Sequence, residues 1–278
     1  MKKSFITLLT ILSSLVLTGC FQSETTIHLN KDGSGKLIEE TRLGGQMLAM
    51  FDQMAALGGD EKAKEDPTKA MFSEDKAKAR AAEIGEGVTF EKQELLTANG
   101  SKGNRVTYTF KDINKLKISA GDSMKTLGEM PGAEAAAAEK AEPVKFTYVD
   151  NQLTIQIPSP KTPEVPASGG ALAADADAAK PDMESPEAMA MMKQMCGDMK
   201  MSLKIVVESG IAETDATHQD GNTLTLMEMN MGKLVENAEA MKKLSKMNQK
   251  DPAATMKALE GIDGIKMETK EKVTVKLQ

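Results

Sequence analysis

Thr25-Thr26-Ile27-His28-Leu29-Asn30-Lys31-Asp32-Gly33-Ser34-Gly35, with Lys36 to Leu43 behind it, is the stretch that decides the fold. Ile27 and Leu29 alternate with Thr26, His28 and Asn30, which gives an extended segment one apolar and one polar face. Lys31 to Gly35 is turn chemistry, with a glycine free to adopt positive φ, and an extended pattern resumes at Lys36. Together they predict a β-hairpin.

Downstream, the period changes and then changes back. Met47, Leu48, Met50, Phe51, Met54 and Leu57 have helical spacing, which predicts a helix from Gln46 to Leu57 that stops at Gly58-Gly59. A second helix is expected from Ser73 to Ile84, with Ser73 as N-cap and Gly85 beyond its end. Strands are expected at Val88 to Leu95 and Asn104 to Phe110, and a hairpin at 144–157 around Asp150-Asn151. Pro131 to Glu142 is rich in Ala and Glu, and Pro158 to Asp182 carries five prolines and reads as a linker or loop.

Beyond it, Ser185-Pro186-Glu187 opens a helix that carries Met189, Met191, Met192, Met195 and Cys196 on one side. Met201, Leu203, Ile205 and Val207 then alternate, and Asp220-Gly221-Asn222 turns into a strand from Thr223 to Met229. Leu234, Val235, Ala238, Met241, Leu244 and Met247 mark a long helix, Asp251-Pro252 begins another, and Val273, Val275 and Leu277 form a last strand. The fold class expected is α+β: a curved antiparallel sheet built from hairpins, packed by amphipathic helices and interrupted by the Pro/Ala-rich linker. The organisation is an N-terminal lobe at 25–157 and a C-terminal lobe at 183–278, possible partners in one sheet.

The first residues give an address. Lys2-Lys3 precede an uncharged run from Phe5 to Leu17, and Leu17-Thr18-Gly19-Cys20 closes it with small residues before a cysteine. That is the layout of a cleaved secretory signal, too short to persist as a bilayer-spanning helix. The four closing residues resemble the bacterial lipobox. The resemblance implies diacylglycerol on the Cys20 sulfur, cleavage after Gly19 and acylation (palmitate or a similar chain) of the new amino terminus. An ordinary signal with an accidental cysteine, or an uncleaved anchor, are the alternatives. Residues 1–19 are then the signal and 20–24 a short acylated tether, of which the four residues 21–24 span roughly 14 Å when extended. The body is held close to the membrane. Phe21 follows the cysteine where Asp would retain a Gram-negative lipoprotein at the inner membrane, so sorting to the outer membrane, facing the periplasm, is expected in such a host.

Composition narrows function further. Without residues 1–19 the chain keeps 33 basic against 41 acidic residues, a net of −8. That excludes a concentrated basic surface for nucleic acid and leaves acyl chains as the means of attachment. Aromatic content is 3% with no Trp, while Met reaches 21, so the apolar interior is filled by thin, adaptable side chains. With Cys20 modified, Cys196 is the remaining thiol and no intramolecular disulfide can form.

The candidate chemistry is sparse. His28 and His218 are the two histidines, and no Gly-x-Ser-x-Gly, His-Glu-x-x-His or Cys-x-x-Cys occurs. Asp32, Asp215, Asp220 and Asp263 sit in turn contexts that explain them. Methionines at 189, 191, 192, 195, 199 and 201, and at 227, 229 and 231, have spacings that soft Cu(I) favours, but helix-core positions such as Met47, Met50 and Met54 show Met used simply as filler. No cofactor and no catalytic residue is expected, and a hydrolase is the least favoured reading.

The lipobox, the early alternating strand, Asn30-Lys31-Asp32-Gly33-Ser34-Gly35, and the later Val106-Thr107-Tyr108-Thr109-Phe110-Lys111-Asp112 and Gly210 to Leu226 resemble LppM-type bacterial lipoproteins. The resemblance implies an α+β body with a curved sheet and a role in binding membrane lipids or lipoglycans; it carries no binding residues. The expected function is a non-enzymatic, acyl-anchored envelope lipoprotein. It would bind a lipid or lipid-like ligand in an apolar groove lined by Met189, Met191, Met192 and Met195. The alternative is a structural or assembly lipoprotein that binds another envelope protein.

Overall fold

The computed structural model describes residues 21–57, 67–98, 100–119, 121–122, 142–158, 193, 197, 199–237, 239–240 and 261–278. Cys20, Met189, Met191, Met192, Met195 and Cys196 lie outside them, as do most of the linker at 158–182, the Ala/Glu-rich segment and the helices begun at Ser185 and Asp251.

The opening hairpin forms as its alternation dictates. Strand β1 (Phe21–Leu29) pairs antiparallel with β2 (Gly35–Leu43) from Phe21 opposite Leu43 to Leu29 opposite Gly35. Asp32 accepts hydrogen bonds from the Ser34 amide at 3.0 Å and its hydroxyl at 2.5 Å, which holds the turn and keeps the carboxyl below its ordinary pKa. Gly33 has φ 84°, and a Cβ on Gly35 would run into the His28 carbonyl and the Phe110 ring, so both glycines are required by geometry.

Three helices follow: α1 (Gly45–Leu57), α2 (Pro67–Met71) and α3 (Glu74–Ile84). Ser73 caps α3 by accepting from the Lys76 amide, and Ala77, Ala81 and Ile84 form its buried stripe at i, i+4 and i+7. Then come β3 (Thr89–Ala98), β4 (Ser101–Phe110), a single 3₁₀ turn at Ile113–Lys115, β5 (Lys145–Val149) and β6 (Gln152–Gln156). Asp150 and Asn151 both have positive φ, which gives the tight turn that this dipeptide favours.

The remaining described elements are β7 (Lys200–Val207), β8 (Ile211–Thr214), β9 (Gln219–Asp220), β10 (Thr223–Asn230), α4 (Met231–Glu236), β11 (Ile265–Met267) and β12 (Lys272–Leu277). They belong to two open sheets. The larger has the order β11-β10-β7-β1-β2-β4-β3 with β9 on β10; the smaller is β5-β6-β12-β8. The architecture is mixed α+β, dominated by strands. Strands from both sides of residues 158–182 share each sheet: β7 lies beside β1, and β12 beside β6.

Three expectations are corrected. The larger sheet is not wholly antiparallel, because β1 and β7 run parallel, with Ile27 opposite Ile205. A parallel pair needs a long crossover rather than a hairpin, and residues 30–199 supply it. Residues 21–24 are not a tether: the inward alternation of Thr25 and Ile27 continues back through Ser23 to Phe21, which is completely buried. The helix from Leu234 is broken at Asn237, which leaves helical geometry and whose side chain accepts from the Ala240 amide, starting a new turn; Met241, Leu244 and Met247 lie outside the described residues. The cavity among the described residues joins polar side chains of β1 and β2 to Met71, because Ser23, Thr25, Glu39 and Thr41 fall on the inward face; the four methionines expected to line a groove lie outside those residues.

The inner face of the larger sheet meets the smaller sheet and α3. Ile27, Leu37, Ile205 and Leu224 pack with Leu153, Ile155, Val273 and Val275 and with Ala77, Ala81 and Ile84 in one buried cluster. Full burial of each large aliphatic stabilises the fold by roughly 1.5–3 kcal/mol. Tyr148 fastens the second hairpin to the first, donating its hydroxyl to the Lys31 carbonyl at 2.6 Å.

Candidate functional site

At the Phe21 end a second apolar cluster forms, in which Phe21, Leu43, Phe51, Phe72 and Met201 are buried and Met47, Met71, Met199 and Met229 pack around them. Thioethers are flexible gap-fillers, so this end is the more deformable one. Between the two clusters the inward positions turn polar. Ser23 and Thr25 of β1 pair with Thr41 and Glu39 of β2, and these pair with Asn104 and Val106 of β4.

Helix α3 covers this band and leaves a cavity of about 230 Å³. Its wall runs from Met71 and Phe72 at the methionine-rich end, through the polar band, to Ala77, Val106 and Tyr108. Pockets that enclose a whole drug-sized ligand hold roughly 300–1,000 Å³. The space is therefore smaller than a whole ligand of that size needs.

Arg80 of α3 reaches into the cavity wall. Its Nε and Nη2 donate to Glu39 Oε1 at 3.4 and 3.2 Å, Nη2 also donates to Asp122 Oδ2 at 3.0 Å, and Nη1 donates to Glu83 Oε2 at 3.1 Å. Every nitrogen of the guanidinium thus faces a carboxylate. Burial alone would lower the Arg80 pKa, but Glu39 and Asp122 hold it above the ordinary value. For Glu39 the balance goes the other way: burial raises its carboxyl, and Arg80 does not offset that. Burial and the neighbouring Glu39 also push the Tyr108 hydroxyl upward. Asp122 is anchored separately, accepting from the Ser119 amide and hydroxyl at 3.0 Å each.

The hydroxyls of Thr25, Thr41 and Tyr108 line the cavity, and among the described residues they make no hydrogen bond. Thr25 and Tyr108 are 8% and 1% exposed, so these groups have little water to turn to except within the cavity. Their oxygens open onto the cavity and can donate to or accept from whatever fills it.

The residues singled out in the sequence contribute little here. His28 sits on the outer face, with Nδ1 2.7 Å from Glu208, and His218 hydrogen-bonds the Met267 carbonyl. Cys20 and the four methionines from 189 to 195 are outside the described residues. Met227, Met229 and Met201 do come together, as apolar packing. Among the described residues no cluster of His, Cys, Asp and Glu could hold a metal ion, and no helix is long and apolar enough to cross a membrane. Glu39, Arg80 and Asp122 were missed, although two of them left a signal. Glu39 interrupts the inward alternation Gly35, Leu37, Thr41, Leu43, and Arg80 interrupts the stripe of Ala77, Ala81 and Ile84.

No family model matches the chain, and no curated protein matches it. Among solved structures, the folded domain of the Mycobacterium tuberculosis LppM protein is similar at a TM-score of 0.31 and 6% identity, covering 77% of this chain and 85% of that one. No residue role is transferred across that likeness.

Proposed function

We propose that this chain is a non-enzymatic lipoprotein of the cell envelope, acylated at Cys20, that holds a lipid or lipid-like ligand with its head in the cavity under α3 and its tail along the methionine-rich end. The observation that carries the reading is the order of environments on the inner face. Phe21, directly after Cys20, is buried in the methionine-rich cluster, and the polar cavity adjoins that cluster through Met71 and Phe72. One residue spans about 3.5 Å, so acyl chains on Cys20 emerge beside the apolar end. A ligand tail and the anchor then enter the same bilayer surface. Each buried methylene contributes roughly 0.8 kcal/mol, which makes two or more chains a stable anchor.

Native mass spectrometry of the membrane-extracted full chain tests the reading. A stoichiometric lipid retained under conditions that keep it on a control protein is expected; reproducible absence overturns it. The assembly reading has one observation in its favour: β3 is an edge strand ten residues long that exposes Leu95 by 71%. Crosslinking from β3 to a single stoichiometric envelope protein, with no lipid retained, would favour it instead.

A further inference from the structure

We propose that the cavity under α3 selects a positively charged, hydrogen-bond-donating head, an alkylammonium, and rejects carboxylate and phosphate heads. The inference rests on the ligand-binding reading above and assigns the chemistry of its head. Arg80 is the cation built into the wall, and Glu39, Asp122 and Glu83 occupy all three of its nitrogens. Four of its five N–H groups are taken by these acids, and a single Nη1 N–H is left for an anion. Glu83 and Lys76 in the lining are exposed, so the charges shielded from solvent are Glu39 and Asp122 against Arg80, an excess of one negative charge. Partly buried charges of one sign are costly unless a counter-charge completes them.

Glu39 is the side chain positioned to receive that counter-charge. Oε1 takes both bonds from Arg80, while Oε2 accepts none among the described residues, and the side chain keeps 21% of its surface. Burial raises its carboxyl, so its ionised form is costly beside Arg80 alone, and a second cation at Oε2 would lower that cost. Around it, the buried hydroxyls of Thr25, Thr41 and Tyr108 line the same space without partners among the described residues. Hydroxyl oxygens accept readily from an ammonium, which has three N–H donors and no acceptor. The methionine-rich end beside Met71 and Phe72 accommodates the alkyl part.

The test uses the acylated full chain in phosphatidylcholine nanodiscs, with the methyl resonances of Met71 and Ala77 followed by NMR while butylammonium, butanol and butyrate are titrated. Butylammonium is expected to shift both methyls saturably, and butyrate is expected to leave them unmoved. Glu39→Gln should weaken butylammonium at least tenfold, and because Arg80 keeps Asp122 and Glu83 in that variant, the fold is expected to persist. Thr25→Val should weaken it severalfold, and raising NaCl from 0.05 to 0.5 M should weaken butylammonium but not butanol. No saturable shift with butylammonium, butyrate or butanol binding as tightly, or an unchanged affinity in Glu39→Gln overturns the inference. If a lipid is nevertheless retained in native mass spectrometry, only the head assignment falls; if none is, the ligand-binding reading falls with it.

Discussion

The two faces of the larger sheet treat neighbouring acids in opposite ways. Glu39 and Glu40 are adjacent in β2, so their side chains leave the sheet on opposite sides. On the outer face, burial would raise Glu40, but hydrogen bonds from Arg42 and Arg105 outweigh it and the carboxyl is held below its ordinary value. On the inner face, one Arg80 is shared among three acids, and burial leaves Glu39 above its ordinary value. The outer face also pairs Glu24 with Lys204 and Lys36 with Glu91, so each of these acids has a cation of its own. The difference teaches that the outer charges are complete in themselves, whereas the inner ones are not.

The sharpest way to break the comparison is to remove one arginine from each face. Arg80→Met leaves Glu39 and Asp122 buried without their cation, and a loss of about 3–5 kcal/mol is expected in urea unfolding. Arg105→Met, from a side chain 43% exposed, should cost less than about 1 kcal/mol because solvent screens what remains. Comparable losses from both would mean that the inner network is no more buried than the outer one. Apolar packing gives the next contrast: Leu37→Ala on the inner face should cost roughly 2–5 kcal/mol, while Thr26→Ala on the outer face should stay within about 0.5 kcal/mol.

Acid titration sharpens the contrast with a smaller effect. A carboxyl whose pKa is raised by folding, as Glu39's is, contributes stability that is present below its unfolded value and lost as pH rises through the folded value. Relative to the native chain, Glu39→Gln should therefore flatten the dependence of stability on pH above about 4.5, the ordinary value for this carboxyl. Glu40, held low, contributes stability that is present above its unfolded value and lost as pH falls through the folded one. Glu40→Gln should thus flatten the acid side instead. Unfolding midpoints of both variants from pH 3 to 8 check the pair, and the same slope change in both would contradict the account. The smallest effect expected is from salt. Raising NaCl should reduce the destabilisation caused by Glu24→Gln, because Glu24 is 47% exposed, while barely moving that of Arg80→Met.

Much of the fold was legible in the residues. Alternation and turn chemistry marked the hairpins at Asp32-Gly33 and Asp150-Asn151, and Ser73 and Gly85 marked the ends of α3. Local signals do not carry long-range pairing, and the parallel contact of β1 with β7 spans more than the whole first lobe in sequence. Phe21 to Glu24 read as a tether because they directly follow a lipobox-like cysteine, although Phe21 and Ser23 continue the inward period. The cavity was hidden for a different reason. An acid in a strand and an arginine in a helix read as solvated charges, and only the packing of α3 across β2 brings Glu39 and Arg80 within hydrogen-bond distance.

The most direct measurement is native mass spectrometry of the full chain taken from membranes in a non-ionic detergent, native and Glu39→Gln side by side. The account predicts a polypeptide that begins at an acylated Cys20 and carries one further lipid, which is depleted in the Glu39→Gln variant. A chain with an unmodified Cys20, or one with no bound lipid in either form, would contradict it.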